Sequence, residues 1–307
     1  MTLLILRRLL QLPLILAVIF TATFVLAWVI PGNPLQRTDG PRPSPAVAEA
    51  MQRQYNLHSP WAFASSYLTN LFTEGDMGPS LVYANERVTG ILARSLPVSA
   101  LLGVAALAVA LFLGTVAGVV GALRPGSSLD LASLAVALVG VSLPNFVTGS
   151  LLLVLFAGLL PLLPVGGWGG VEHLILPAVT LGVMPAAYIA RLVRLGLADT
   201  MSSDFIRTAR AKGLSYRRAL FGHALKVAYL PVLSFLGPAS ASVLTGSFVV
   251  EQVFNVPGLG EHFVQAVLNK DQFLILGVVL TYSTILVLFN LIVDVAYAWF
   301  DPRIELG

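Results

Sequence analysis

The 307-residue chain has no cysteine and only four histidines, His58, His173, His223 and His262. The first absence excludes disulfides, thiolate nucleophiles and cysteine-ligated metals. The second leaves no histidine pair at the i, i+4 spacing of a helical metal site, so neither a metal centre nor a catalytic residue is expected. Charge is also scarce. Asp, Glu, Lys and Arg make up 11% of the chain, while 57% is hydrophobic with glycine left out. A soluble domain is about 25% charged and about 45–50% apolar even with glycine counted. So little charge cannot cover a soluble body of this length. The composition predicts an all-α integral membrane protein whose outer surface meets lipid. The net charge of +3 then says little about nucleic acid, and no nucleic-acid partner is expected. In a membrane protein the placement of the positive charges is what informs.

Six stretches are long and apolar enough to cross a bilayer as helices, at about 9–30, 97–122, 131–158, 174–193, 229–250 and 274–298. The first follows Arg7-Arg8 and stops at the breaker run "PGNP". It is longer than a signal-peptide core and no small-x-small cleavage site follows, so it reads as a retained span. Arg7, Arg8, Arg124 and Arg303, with Arg191, Arg194, Arg207, Arg210, Lys212, Arg217, Arg218 and Lys226, fall on one side of this six-span topology. The other side holds Arg37, Arg42, Arg53, Arg87, Arg94 and Lys270, and five of those six lie in one long connection that the positive-inside rule largely exempts. Both termini are therefore expected in the cytoplasm, in a multi-pass protein of the cell (inner) membrane.

Residues 31–96 read as an external helical segment. Ser44-Pro45 and Ser59-Pro60 each pair an N-cap with a proline at the first helical position. "ERVTGILARSLP" places Val88, Ile91 and Leu92 on one face, as in a helix lying along the interface before the second span. Pro144, in "SLPNF", should bend the third span. The organisation expected is a first helix with the external segment (1–92), a five-helix core with a cytoplasmic loop at 195–228 (93–298), and a short cytoplasmic tail (299–307).

Within that loop, "RTARAKGLSYRRALFGHALK" (207–226) gathers six Lys/Arg and no acid. "DFIRTARAKG" reads as a short helix that Gly213 ends in a left-handed conformation. Ser215 is placed to cap a second helix running into the fifth span. A DNA-reading helix-turn-helix has similar spacing, but here the second helix merges with a membrane span and has little room to enter a groove. Two readings remain from the residues: a docking surface for another protein or for anionic headgroups, or a basic loop kept by the positive-inside rule alone.

The stretch resembles the cytoplasmic loop of binding-protein-dependent ABC importer permeases. That loop has the pattern E-A-A, three residues, Gly, nine residues, then I-x-L-P. This chain keeps Ala209, Gly213 and Leu225, and has Arg207, Thr208, His223 and Lys226 at other pattern positions. Those departures agree with the peptide/nickel subgroup, whose loops resemble "RTARAKGLS" followed by His223, Lys226 and Pro231. "VSLPNFVTGSLLL", "EQVFNVPGLG" and "YAWFDPR" also look like that subgroup, and the match runs in order through nearly the whole chain. The resemblance implies the type I ABC importer permease fold. It also implies pairing with a second homologous permease, two cytoplasmic ABC ATPase subunits that carry the ATP and Mg, and an external substrate-binding protein; this chain itself would bind no cofactor. Arg207, Thr208, Ala209, Arg210, Ala211, Lys212, Gly213, Leu214 and His223 would couple to an ATPase. Glu251, Phe254, Asn255, Pro257, Gly258 and Gly260 would form an external loop at the mouth of the cavity, although Pro-Gly pairs also mark ordinary turns.

Ser142, Asn145, Ser240 and Thr245 place polar groups inside the third and fifth spans. They would line a polar path, or only pack helices together, since hydroxyls and small residues are common at interhelical contacts. Asp294 is the one acid in the apolar part of the sixth span, near Asn290 and Arg303, and suits a structural hydrogen bond or ion pair. An ion-coupled secondary transporter is the alternative function, but it would want several buried acids or inverted repeats. An intramembrane enzyme would need a metal set or a nucleophile–base pair, and the spans offer neither. No G-x-x-x-x-G-K-[ST] loop is present to cradle phosphates.

Overall fold

The computed structural model describes residues 2–30, 35 and 44–300. "PGNP", Arg37, Arg42, the 301–307 tail and its Asp301-Pro302-Arg303 lie outside the described residues. In chain order the helices are α1 (Thr2–Val29), α2 (Pro45–Gln54), α3 (Pro60–Thr73), α4 (Val88–Leu123), α5 (Ser128–Ser142), α6 (Asn145–Leu152), α7 (Val171–Met201), α8 (Asp204–Ala211), α9 (Tyr216–Ala219), α10 (Leu225–Ala228), α11 (Leu230–Val253), α12 (Leu259–Asn269) and α13 (Gln272–Phe300). A π-turn extends α6 to Leu159 and another joins α9 to α10. Among the described residues there is no β-strand, only an isolated bridge between Pro79 and Arg87.

The Ser-Pro starts form as the residues predict. Ser44 Oγ accepts from Val47 N and Ser59 Oγ from Ala62 N, each at 3.4 Å, with proline opening each helix. Five helices, α1, α4, α7, α11 and α13, are long and apolar enough to cross a membrane singly. The third apolar stretch bends at Pro144 as expected, and the bend is a complete break between two helices that together make the sixth candidate. Leu143 turns extended, α6 restarts behind Pro144, and the two pieces meet at a bend of 112°. Two expectations change. "ERVTGILARSLP" is not a separate interfacial helix: it continues straight into the second span as α4, with Pro97 inside. Burial of Val88, Ile91 and Leu92 holds the stretch in line, and Gly277 makes the room, since a Cβ there would come 2.4 Å from Val88 Cγ1. The fourth span runs past its expected end at 193 to Met201, so Arg194 and the first residues of the expected loop sit on a helix.

The chain forms two compact units, each built from separated segments. Of the described residues, the first takes 2–6, 100–256 and 288–300. In it, α4 meets α7 at backbone distance. A Cβ at Gly114 would lie 2.7 Å from the Ala186 carbonyl oxygen, one at Gly118 2.6 Å from that of Ala190, and one at Gly182 2.8 Å from that of Ala106. Gly114 and Gly118 form a Gly-x-x-x-Gly face, the means by which helices approach closely in lipid, where the hydrophobic effect supplies no drive.

The second unit takes Arg7–Ser99 and Pro257–Val287. Its centre is a set of stacked rings from three helices. Phe63 and Tyr67 of α3 meet Phe20, Phe24 and Trp28 of α1, and Phe273 of α13. Beside them Asp271 is fully buried and gathers four donors. Its Oδ2 accepts from Ser80 Oγ at 2.5 Å, Leu81 N at 2.7 Å and Val82 N at 3.1 Å, while Oδ1 accepts from Leu274 N at 3.1 Å and so caps α13. Burial pushes its carboxyl above the ordinary aspartate value, against the pull of those hydrogen bonds.

Candidate functional site: the α8 turn and the helix ends around it

The basic stretch folds as its residues predict. Gly213 has φ +92°, where side-chain-bearing residues are disfavoured. Gly213 N donates to Arg210 O at 3.0 Å and Leu214 N donates to Ala209 O at 3.2 Å. That pair of bonds is a Schellman ending, which satisfies carbonyls the helix would otherwise leave open. Leu214 and Ile206 pin the motif to the first unit: Ile206 is fully buried with Leu197, Ala219, Leu220 and Ala224, and Leu214 packs on the same cluster. Ser215 stands at the N-cap position of α9 as expected, but without a side-chain cap hydrogen bond.

With Ile206 turned inward, the opposite face of α8 carries Thr208 and Ala211, flanked by exposed Arg207 and Lys212. Thr208 Oγ1 bonds back to Asp204 O at 2.9 Å, which leaves a low, small-residue centre. Arg207 lies 3.5 Å from Asp204, and both are so exposed that the pair contributes little. Arg210 is drawn aside, its guanidinium 5.6 Å from the Tyr216 ring centroid. Ala209 is half-buried, and His223 is exposed on the π-turn after α9. The structure thus places Arg207, Thr208, Ala211 and Lys212 on one exposed face, with Arg210 set aside against Tyr216 and Leu214 turned to the buried cluster.

The second predicted group divides between the units. In the first unit, α11 ends in another Schellman turn: Asn255 has φ +50°, Val256 N donates to Glu251 O at 2.8 Å and Asn255 N to Gln252 O at 3.3 Å. Glu251 is fully buried. Phe254 is buried too, and its carbonyl accepts from Gly167 N at 2.8 Å. A Cβ at Gly166 would stand 2.4 Å from that carbonyl, so the Gly-rich loop before α7 is shaped around it. In the second unit, Pro257 is exposed, while Gly258 and Gly260 are buried at the start of α12, where Leu259 N donates to Ser99 Oγ at 2.9 Å.

Among the polar positions in the spans, Ser142 Oγ donates to Leu138 O and Ser240 Oγ to Gly237 O. Ser142 is exposed, Ser240 buried, Asn145 half-buried with Nδ2 against Gly246, and Thr245 exposed. Arg303, the cation near Asp294 in sequence, lies outside the described residues.

One feature beside the site is not readable from spacing. Arg194, on the α7 turn that leads to α8, clasps Asp130 of α5. Its Nε donates to Oδ1 at 2.5 Å and its Nη2 to Oδ2 at 2.7 Å, and Gly126 N adds a third bond at 2.9 Å. The Asp130 side chain is only 1% exposed. Gly121 of α4 packs on the pair, so three helices meet there. The only sequence signal is an acid opening one span and an arginine near the end of another.

Long apolar helices joined by a compact basic turn define a multi-helix protein of the membrane class. The fold matches a chain in the structure of the MetNI methionine ABC transporter in inward-facing conformations, at TM-score 0.55 and 19% identity over 69% of this chain and 96% of that one. This is the type I ABC importer permease fold. Residues 110–306 match the family model described as "Binding-protein-dependent transport system inner membrane component". The dipeptide transport system permease protein DppB of Bacillus subtilis (strain 168) is 41% identical over 94% of this chain and 93% of its own length. The oligopeptide transport system permease protein OppB of Escherichia coli (strain K12) is 42% identical over 98% of both. The chain belongs to the family of binding-protein-dependent transport system inner membrane components and is a permease subunit of an ABC importer; these relatives do not support an ion-coupled transporter.

Proposed function

We propose that the chain forms half of the translocation path of a peptide importer, with both termini in the cytoplasm and the α8 turn as its contact with an ATPase subunit. A second homologous permease forms the other half. Two ATPase subunits bind the ATP and Mg and hydrolyse the nucleotide, and an external binding protein delivers dipeptides or oligopeptides. The chain itself is non-catalytic. Peptide as substrate rests on likeness to the dipeptide and oligopeptide permeases along nearly their whole lengths.

The observation that carries the coupling role is the face of α8. Thr208 and Ala211 give it a low centre that another protein can approach closely, and Arg207 and Lys212 add charges for acids on that partner. Ile206, Leu214 and the Schellman turn hold it rigidly to α7 and α9, so motion of a docked subunit passes into spans α7 and α11. ATP drives the cycle only because it binds the two conformations with different affinity.

The test is Gly213→Val. No atom would touch a Cβ there, so the cost is conformational, about 1–2 kcal/mol for a side chain in left-handed backbone. That is enough to reshape the turn and too little to unfold the spans. The variant should reach the membrane at normal levels, lose peptide uptake, and either co-purify with less ATPase or leave hydrolysis unresponsive to the loaded binding protein. Gly222→Ala is the control: it sits in a helical turn, and a Cβ there also meets nothing within 4 Å. Wild-type uptake with full ATPase bound in Gly213→Val would make the stretch a basic tether only.

A further inference from the structure

We propose that α3 is a membrane-interface helix whose bare face lies in lipid, in the leaflet around the Val29 end of α1. The helix is apolar on two opposite faces. One face, Phe63 and Tyr67, is covered by the rings of α1 and α13. The other carries Trp61 and Phe72, eleven residues apart and hence nearly in line on an α-helix, with Ser65 and Leu68 between them. Trp61 and Phe72 are each 82% exposed, and no other large hydrophobic side chain described is as bare.

Three observations identify lipid as the occupant. First, Pro60–Thr73 contains no charged residue, whereas neighbouring α2 carries Glu49 and Arg53. A water-facing surface helix keeps charge on its outer side. Second, Ser65, the hydroxyl between Trp61 and Phe72 on this face, is turned onto the helix's own backbone, its Oγ donating to Ala62 O, and Ser66 and Thr73 bond back in the same way to Phe63 O and Thr69 O. The face therefore presents few open donors to a dry environment. Third, the covered face packs on α1 along Phe20, Phe24 and Trp28, the last part of a candidate span. That part of α1 also leaves Val25, Leu26 and Val29 exposed, so the bare face of α3 continues an apolar surface that already belongs to the bilayer. Indole rings favour the headgroup boundary, which suits Trp61 at the start of α3. A partner protein would be a different occupant, and an uncharged face lacks the polar rim typical of protein interfaces.

The chain has no cysteine, so labels can be placed singly. Trp61→Cys and Phe72→Cys, spin-labelled before assembly with the partner subunits and reconstituted in phosphatidylethanolamine/phosphatidylglycerol vesicles, should collide several-fold more often with dissolved oxygen than with a water-soluble nickel chelate. Ala50→Cys on α2 should show the reverse order. Ser65→Cys reports the same face if the loss of an aromatic prevents folding. Preference for the chelate at residues 61 and 72 would place the face in water and overturn the proposal. So would exclusion of both reagents, with an immobilised label, only once the second permease or the binding protein is added, because the occupant would then be protein. Neither result would bear on coupling at α8.

Discussion

Replacing Arg194 by methionine removes the guanidinium of the clasp and leaves a side chain of similar length. Asp130 then keeps one of its three donors, the Gly126 amide, while its side chain remains 1% exposed. Relief by movement is limited, since a Cβ at Gly121 would lie 3.0 Å from Asp130 Oδ1, so α4 is already close. Were this a surface pair, the loss would be about 0–1 kcal/mol. Breaking a buried pair from one side costs about 3–5 kcal/mol, because the remaining charge is left uncompensated. The Arg194 side chain is 23% exposed, and water reaching it argues for the lower end of that range. A loss of about 3 kcal/mol lowers the melting temperature by about 5 °C in a chain of this size. Replacing the pair by apolar residues should be close to neutral. Asp130→Leu/Arg194→Met should therefore recover most of what Arg194→Met alone loses, a coupling of about 2–3 kcal/mol in the double-mutant cycle. Thermal unfolding of the purified complex, followed by the survival of its gel-filtration peak, reads all three variants. If Arg194→Met melts within a degree or two of the parent, or the double variant melts no higher than the single one, the clasp is not a buried ion pair in the working protein.

The Gly-x-x-x-Gly face makes a second prediction: Gly118→Val drives side-chain atoms into the Ala190 carbonyl and Val193, and folded protein should fall sharply in membrane extracts, while Gly103→Ala, whose nearest foreign atom is 3.9 Å away, should accumulate normally. The hydroxyl oxygen of Tyr67 is buried with no hydrogen-bond partner among the described residues, so Tyr67→Phe should melt slightly higher, by about 1 kcal/mol, and a lower melting point would reveal a partner for that oxygen. Asp271 gives a pH signature: with its folded carboxyl above the ordinary aspartate value, the folded state binds the proton more tightly, so stability falls as pH rises from that ordinary value through the raised one. The difference in melting temperature between wild type and Asp271→Asn, followed across that window, should show this slope, and a flat difference would remove the carboxyl from the account.

What could be read from the residues alone was the physics that stays within about one helical turn. Ser44-Pro45 and Ser59-Pro60 start helices because a cap and a fixed φ need no distant partner. Gly213 ends α8 for the same reason, and runs of apolar residues announce spans wherever they fold. Each departure comes from a partner far along the chain. The apolar run of the fourth span stops at 193, yet Asp130, 64 residues earlier, pairs with Arg194 and α7 runs on to Met201. "ERVTGILARSLP" looked like a separate interfacial helix because Val88, Ile91 and Leu92 share one face, yet it stays in line because Gly277 admits Val88. The cluster at Asp271 was invisible because three of its four donors, from Ser80, Leu81 and Val82, lie about 190 residues away. Gly114 and Gly118 are the intermediate case: the motif tells that a helix can approach closely, but not that the one to do so is α7, with Ala186 and Ala190 in contact. The candidate site follows the same division. The shape of the α8 surface is local and could be read off the chain, whereas its rigid attachment depends on Ile206 and Leu214 meeting α7 and α9, and on the Asp130–Arg194 clasp that holds the lever above it.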